Sequence, residues 1–252
     1  MHPVLFKISF FTIYTYGVFF GISFIVGLFF ATRQAKKYNI SSEEITDIVF
    51  VILISSIVGA RFFYVFLNFS DFTRDYLSIF KIWNGGFVFY GGFIFAVIAS
   101  FIYIRKKRIL LGQIADILAP SIAISHSIGR IGCFFAGCCY GKESNLPWAV
   151  IFKNSDSLAP IGIYLHPTQI YSVLSNLFIF FILLWIEKRK RFNGMVFWFY
   201  IMLYGIFRFF IEIFRGDPRG HLLDFLSTSQ TIGILMVLSA VCMLFFLSKN
   251  KK

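Results

Sequence analysis

Three arginines, Arg61, Arg130 and Arg208, stand within or at the ends of long apolar runs, where a charge at the bilayer centre costs about 2.5 to 3.5 kcal/mol on insertion scales. Such a side chain either snorkels its head to an interface along its apolar stem or faces the interior of a helix bundle. All three fall toward the same-side ends of the second, fourth and sixth runs, so three alternate helices are expected to present a guanidinium at one level. Guanidinium is the side chain best shaped for bidentate phosphate recognition, and a shared anion site is the chemistry that follows. Arg208, Glu212 and Arg215 lie at i, i+4 and i+7, on one helical face. Either they form an ion-pair ladder that lets Arg208 be buried, or Arg208 points at a substrate and Glu212 orients it.

Other polar residues gather near that level. Tyr14 and Tyr16 enter the first run; Trp83, Asn84 and Gly85-Gly86 precede the third, with Tyr90-Gly91-Gly92 just inside it; His166, Gln169 and Tyr171 open the fifth. Tyrosine and tryptophan singly are commoner as interfacial anchors than as catalysts. The glycines allow close backbone approach, or a helix break of the kind tolerated where backbone lines a cavity. Cys133, Cys138 and Cys139 are bunched in one stretch from His126 to Gly141, whereas Cys242 stands alone in an apolar run. The cluster has three readings: small-residue packing; an oxidised pair joining Cys133 to Cys138 or Cys139 near an oxidising outer face; or chemistry. The last is a thiolate favoured by Arg130, or soft-metal ligation with His126 helping, although Cys-x4-Cys-Cys is not a standard zinc spacing.

The elements that must position these residues follow from composition. Of 252 residues, 58% are hydrophobic and 14% charged, with a mean hydropathy of +0.77. A water-soluble domain cannot hide so much apolar surface, and the pattern reads as an all-α integral membrane protein. Aromatic residues at 21% exclude a disordered or collagenous chain. The net charge of +12 does not indicate nucleic acid, because the basic residues come in short blocks between apolar runs rather than on one solvated face. About seven runs reach spanning length, at residues 10 to 32, 45 to 68, 86 to 104, 110 to 135, 168 to 186, 194 to 214 and 228 to 247. Basic blocks follow the first (Arg33, Lys36, Lys37), third (Arg105 to Arg108), fifth (Lys188 to Arg191) and seventh (Lys249, Lys251, Lys252), and hold 14 of the 24 lysines and arginines, against 7 in the alternate loops and amino terminus. That asymmetry places the amino terminus outside and the carboxyl terminus in the cytoplasm. Positive charge follows the first run instead of preceding it, so the run is expected to stay as an anchor. With no internal repeat or low-complexity linker, residues 1–252 read as one polytopic domain with outer loops at about 69 to 85, 141 to 167 and 215 to 227.

The stretch His126-Ser127-Ile128-Gly129-Arg130-Ile131-Gly132-Cys133-Phe134-Phe135-Ala136-Gly137-Cys138-Cys139-Tyr140-Gly141 resembles the signature of the prolipoprotein diacylglyceryl transferase family, a Gly-Arg-x-Gly-Asn-Phe core followed by Asn-Gly-Glu and a closing glycine. Five further pieces are similar to that family's motifs in chain order: Tyr16-Gly17; Gly59-Ala60-Arg61 with Tyr64; Trp83 to Gly92; His166-Pro167-Thr168-Gln169-Ile170-Tyr171; and Tyr204-Gly205 with Arg208, Glu212 and Arg215. The resemblance implies transfer of the diacylglyceryl group of phosphatidylglycerol to the lipobox cysteine thiol of a prolipoprotein, with release of glycerol phosphate. It further implies a multi-pass protein of the bacterial plasma (inner) membrane, an active site toward the outer face, and no metal or organic cofactor. Carried over, Arg130 and Arg208 are the phosphate-side catalytic residues. Tyr16, Arg61, Gly91, Gly92, Cys133, Cys138 and Tyr204 line the substrate site, and Glu212 supports Arg208.

The departures bear on the proton. The signature's two asparagines are Cys133 and Ala136 here, its glutamate is Cys138, and the histidine that the family places before the double glycine is Tyr90. A tyrosine, with an ordinary pKa of about 10, is a poor base at neutral pH unless arginines favour its phenolate. His166 is the alternative base, since histidine titrates near neutrality. Two other functions stay open beside the main one: a related transferase with a different acceptor, and a non-catalytic lipid-binding membrane protein.

Overall fold

The computed structural model describes residues 2–8, 11–73, 75–81, 83, 85–217, 221–223 and 226–249. Asn84, Lys251 and Lys252 lie outside them. Strands β1 (Val4–Ile8) and β2 (Phe11–Tyr14) pair antiparallel and lead into helix α1 (Thr15–Ala35), continued by a 3-10 turn over Lys36–Tyr38. Then come α2 (Ser42–Leu67), the single turn α3 (Phe69–Phe72), α4 (Phe89–Lys106) and α5 (Leu111–Ala136). A short antiparallel pair, β3 (Val150–Ile151) and β4 (Tyr164–Leu165), precedes α6 (Thr168–Glu187) and α7 (Met195–Ile213); the pair β5 (His221–Leu223) and β6 (Leu226–Ser227) precedes α8 (Thr228–Lys249). Among the described residues, seven helices are long and apolar enough to cross a membrane, so the chain is a helical membrane protein, as its apolar runs indicate.

The first run needs correction. Residues 11–14 belong to β2, and the helix starts only at Thr15, whose N–H donates to Pro3 O at 2.9 Å and whose hydroxyl donates to His2 O at 2.5 Å. Phe-Thr-Ile-Tyr is rich in aromatic and β-branched side chains, and a short apolar stretch of that kind reads equally as strand or helix. The expected outer loops contain local structure as well: α3 and a 3-10 turn (Tyr76–Phe80) in the first, β3–β4 in the second and β5–β6 in the third.

The chain divides into two compact units, residues 32–114 and residues 1–31 with 115–252. In the smaller unit, α2 opens with a capping box: Ser41 Oγ accepts from Glu44 N, and Glu44 Oε2 accepts from Ser41 N, both at 3.1 Å. Helices α2 and α4 approach backbone to backbone. A Cβ on Gly91 would lie 2.5 Å from Gly59 O, and one on Gly92 would lie 2.8 Å from Ser56 O, the small-residue contact by which apolar helices associate in lipid. Gly91 and Gly92 therefore leave α4 unbroken.

In the larger unit, Ala119, Ala123, Ile179, Phe180, Leu183 and Val196 form a core shared by α5, α6 and α7, and Ser125 Oγ on α5 donates to Ser23 O on α1 at 2.8 Å. Helix α7 begins at Gly194 (φ 90°) and has no side-chain cap of its own. Asp116 of α5, fully buried, supplies one across the bundle. Its Oδ2 accepts from Gly194 N at 2.7 Å and pairs with Lys190 Nζ at 2.9 Å, while Oδ1 accepts from Phe197 N at 2.9 Å. A carboxylate thus meets the positive end of a helix and an ammonium at once. Replacing Asp116 by alanine removes a buried carboxylate partner of Lys190 and leaves two amide donors without theirs, and is expected to remove about 3 to 5 kcal/mol. Thermal unfolding in detergent checks this, with Asp116→Asn falling between the alanine variant and the wild type.

Candidate active site

The site is built in the larger unit from faces of α5, α6 and α7. On α5, His126, Arg130 and Cys133 are spaced i, i+4 and i+7; on α6, Ser172, Ser175 and Asn176 are spaced i, i+3 and i+4; on α7, Tyr204, Arg208 and Glu212 recur every four residues. Such spacings hold each set on one stripe of its helix. The three stripes bound a small cavity of about 10 Å³, walled by His126 and Arg130, by Ser172, Ser175 and Asn176, and by Tyr204, Phe207, Arg208 and Ile211.

Arg130 Nε donates to His126 Nε2 at 3.1 Å, which requires a neutral imidazole with its proton on Nδ1. The His126 ring lies 5.4 Å from that of Tyr204. Among the described residues no carboxylate pairs with Arg130; Cys133, Cys139, Tyr204 and Tyr16 are among the groups near it. Arg208 differs, with Nη2 at 2.9 Å from both Glu212 Oε2 and Ser229 Oγ. Glu212, itself buried, accepts from Ser227 Oγ at 3.3 Å and lies 3.8 Å from Arg215 Nε, and Arg215 holds Asp217 through two 2.8 Å hydrogen bonds. The ladder reading of Arg208, Glu212 and Arg215 is therefore realised in the structure, and Arg208 also reaches the cavity wall.

The cavity shares part of its wall with a neighbouring groove. Ser175, Phe207 and Ile211 also line an open apolar groove of about 420 Å³ between α6 and α7, completed by Tyr171, Leu174, Phe178, Phe210 and Phe214. A guanidinium-bearing cavity and an apolar groove with common wall residues suit one amphipathic ligand, an anionic head on an acyl chain.

Sequence comparison identifies the fold's lineage. The profile of the family described as prolipoprotein diacylglyceryl transferase matches residues 3–246. The chain belongs to the prolipoprotein diacylglyceryl transferase family. It is 36% identical over 241 residues to the phosphatidylglycerol–prolipoprotein diacylglyceryl transferase of Clostridium tetani (strain Massachusetts / E88), covering 96% of each chain. The enzyme of that name from Finegoldia magna (strain ATCC 29328 / DSM 20472 / WAL 2508) is 36% identical over 242 residues, covering 96% of this chain and 94% of its own. That from Geobacter sulfurreducens (strain ATCC 51573 / DSM 12127 / PCA) is 32% identical over 255 residues, covering 99% and 96%.

Against this transferase family's pattern, Arg130, Arg208 and Tyr204 meet at the cavity, with Glu212 behind Arg208. Tyr16, on the first turn of α1, packs where Gly132 lets α1 approach α5; a Cβ there would lie 3.4 Å from Tyr16 Cα. His166 is not among the cavity-lining residues. Its Nδ1 is 3.2 Å from Tyr171 Oη, which accepts from Trp148 Nε1 at 2.8 Å, and its ring lies 5.1 Å from Phe214, so it stands beside the groove. Cys133, Cys138 and Cys139 are free thiols grouped around the end of α5. Hydrogen bonds from Cys133 and Cys138, and beyond them one from Arg215, hold the Cys139 thiol below the usual thiol range; donation to Cys133 and Cys139, with burial, pushes the Cys138 thiol up.

Arg61, Tyr90, Gly91 and Gly92 lie in the smaller unit. Tyr90 opens α4, 61% exposed and edge-on to Phe89. Arg61 is buried with all three nitrogens engaged: Nε donates to Ile79 O (2.9 Å), Nη1 to Gly85 O (2.6 Å) and Gly86 O (3.2 Å), and Nη2 to Ser78 O (2.7 Å), while the guanidinium lies 5.5 Å from the centre of the Phe72 ring. Gly85 and Gly86 take φ +76°, the left-handed region that suits glycine. Arg61 thus fastens the segment before α4.

His126, Ser172, Ser175 and Asn176 are cavity residues that the sequence reading left out of the site. Three polar residues at i, i+3 and i+4 in the apolar α6 were the available signal, and Asn176 Oδ1 is buried without a hydrogen-bond partner. A lysine in place of Arg61 cannot reproduce a planar fork bonded to four carbonyls. Arg61→Lys is expected to speed proteolytic cleavage between residues 73 and 88 by roughly tenfold, corresponding to about 1.4 kcal/mol of lost local stability, measured by limited proteolysis in detergent.

Proposed function

We propose that the chain transfers the diacylglyceryl group of phosphatidylglycerol to the lipobox cysteine of a prolipoprotein. The thiolate sulfur attacks the glyceryl carbon bearing the phosphodiester; a C–S bond forms, the C–O bond breaks, and glycerol phosphate leaves with the electron pair. The observation that carries this reading is the apolar groove that shares Ser175, Phe207 and Ile211 with the cavity walled by Arg130 and Arg208. Acyl chains suit the groove and the phosphodiester suits the guanidinium groups, which oppose the charge that grows on the leaving phosphate. Arg130, with no carboxylate partner among the described residues, is the stronger candidate for that charge. Arg208, oriented by Glu212 and Ser229, is the second. Tyr204 and Tyr16 line the donor's path, and Arg61, Gly91 and Gly92 keep the substrate-binding role that the family's motifs give them, within the unit that α2 and α4 build.

The acceptor's proton is assigned to His166, next to the groove through Tyr171, or to Tyr90, at the family's histidine position. We place the protein in the bacterial plasma membrane as one polytopic domain with its amino terminus and active site outside, on the lysine and arginine asymmetry of its loops.

Labelled phosphatidylglycerol and a lipobox peptide, incubated with the purified chain in lipid, test the reading. Thioether product is expected, and Arg130→Ala and Arg208→Ala should each lower the rate by about 10²- to 10³-fold, the loss typical of one transition-state donor. Full activity in both folded variants would remove the phosphate assignment. Bound lipid with no product from the wild type would point to another acceptor or to a non-enzymatic lipid binder.

A further inference from the structure

The cysteine-bearing turn after α5 has a geometry that packing alone does not require. Helix α5 ends at Ala136, Gly137 takes φ +78°, and Cys139 takes φ +59°, a left-handed conformation rare for a residue with a side chain. The reversal returns Cys138 and Cys139 to Cys133, and the three Sγ atoms lie within 4.8 Å of one another. Two buried side chains of α6 pin the turn: Gln169 Nε2 donates to Cys138 O at 2.8 Å, and Thr168 Oγ1 donates to Cys139 O at 2.7 Å. Arg130 and Arg215 both lie close enough to Cys139 to act on its charge.

We propose that Cys133, Cys138 and Cys139 form a three-sulfur site for one thiophilic divalent cation of the zinc type, with a fourth coordination position that takes the acceptor thiol. Sulfurs each about 2.3 Å from zinc are about 3.8 to 4.0 Å apart, so closing the observed triangle needs shifts of less than about 1 Å. A disulfide would join two of these sulfurs and leave the third beside two guanidinium groups, whereas a cation engages all three. Three thiolates and a divalent cation carry one net negative charge, which the flanking Arg130 and Arg215 offset, and N–H donors to a metal-bound sulfur orient it and temper its charge. Three protein ligands with an open fourth position mark catalytic rather than structural zinc sites.

The role of that fourth position rests on the transferase reading. The acceptor cysteine binds the cation and gives its proton to the base assigned above, and the bound thiolate then attacks the donor carbon while glycerol phosphate leaves. Arg130 touches both the cavity and Cys139, so the nucleophile is delivered beside the phosphate group. The cation then activates the thiol in a chain that has Tyr90 where its family has histidine.

The test uses the full chain in detergent, reduced, stripped with chelator, and titrated with Co²⁺ as a spectroscopic probe and with Zn²⁺. One ion per chain is expected, with sulfur-to-cobalt charge-transfer bands. Cys133→Ser, Cys138→Ser and Cys139→Ser should each weaken binding tenfold or more, whereas Cys242→Ser, on the exposed face of α8, should not alter it. A cysteine-containing lipobox peptide should shift the cobalt spectrum and its serine analogue should not. Failure of the reduced, folded chain to bind Co²⁺ or Zn²⁺, or binding that survives Cys133→Ser with Cys139→Ser, overturns the site. A bound ion whose spectrum ignores the peptide overturns the fourth position. Transfer at full rate by the metal-free protein overturns the metal's role and leaves the transferase reading intact, while metal and peptide binding without transfer does the reverse.

Discussion

Three stretches far apart in sequence, the cysteine turn, the segment before α6 and the end of α7, are held together by main-chain hydrogen bonds that converge on Gly141. Gly141 N donates to His166 O at 3.1 Å, His166 N to Lys142 O at 2.9 Å, Lys142 N to Phe214 O at 2.8 Å, and Gly216 N to Tyr140 O at 3.1 Å. The strands pass so closely that a Cβ on Gly141 would fall well inside the contact distance of His166 O, and one on Gly216 would lie 2.6 Å from Gly141 O. Much of the site follows from this seam. It fixes where His166 stands, how Arg215 reaches Cys139 and Asp217, and where the cysteine turn meets Thr168 and Gln169. Outside a helix, these backbone groups need partners of their own when buried, and the seam supplies them by pairing strands end to end.

Burial of positive charge is handled differently at each intramembrane arginine. Arg61 donates to four carbonyls and acts as a clamp within its own unit. Arg208 has a carboxylate at 2.9 Å, so its charge is largely compensated before any ligand arrives. Arg130 has an imidazole nitrogen and thiols around it, and no carboxylate among the described residues. Of the three it is the one at the cavity with thiols rather than a carboxylate or carbonyls beside it, so an anion in the cavity adds to its compensation. On the proposed function, specificity for an anionic lipid head would rest more on Arg130, and orientation of that head more on the Arg208–Glu212 pair.

These differences explain what could be read from the residues alone. The spanning helices were legible because about 20 apolar residues between basic blocks leave few alternatives, while β1–β2 was not, since Phe11–Tyr14 carries no period that separates strand from helix. Arg130 and Arg208 were legible because charge is rare in such runs. Arg61 has the same signature in sequence, and only three-dimensional contacts show that its donors are taken by carbonyls of residues 17 to 25 positions away. Ser172, Ser175 and Asn176 were missed for the opposite reason: small polar side chains are ordinary in membrane helices, where they bond to their own backbone, as Ser172 Oγ does to Thr168 O at 2.8 Å.

Cys133 and Cys138 stand where the family signature has an amide and a carboxylate, and this exchange bears on more than local packing. Removing two hydrogen-bonding groups from beside Arg130 would leave a polar site poorly satisfied if the replacements were inert. The replacements are instead polarisable sulfurs, joined by a third at Cys139, on a turn held in a strained backbone conformation by two buried side chains. Strain of that kind persists only where surrounding bonds over-determine it. The turn's sulfurs converge beside a guanidinium, so polarisable groups stand within reach of the Arg130 charge where the family signature has oxygen.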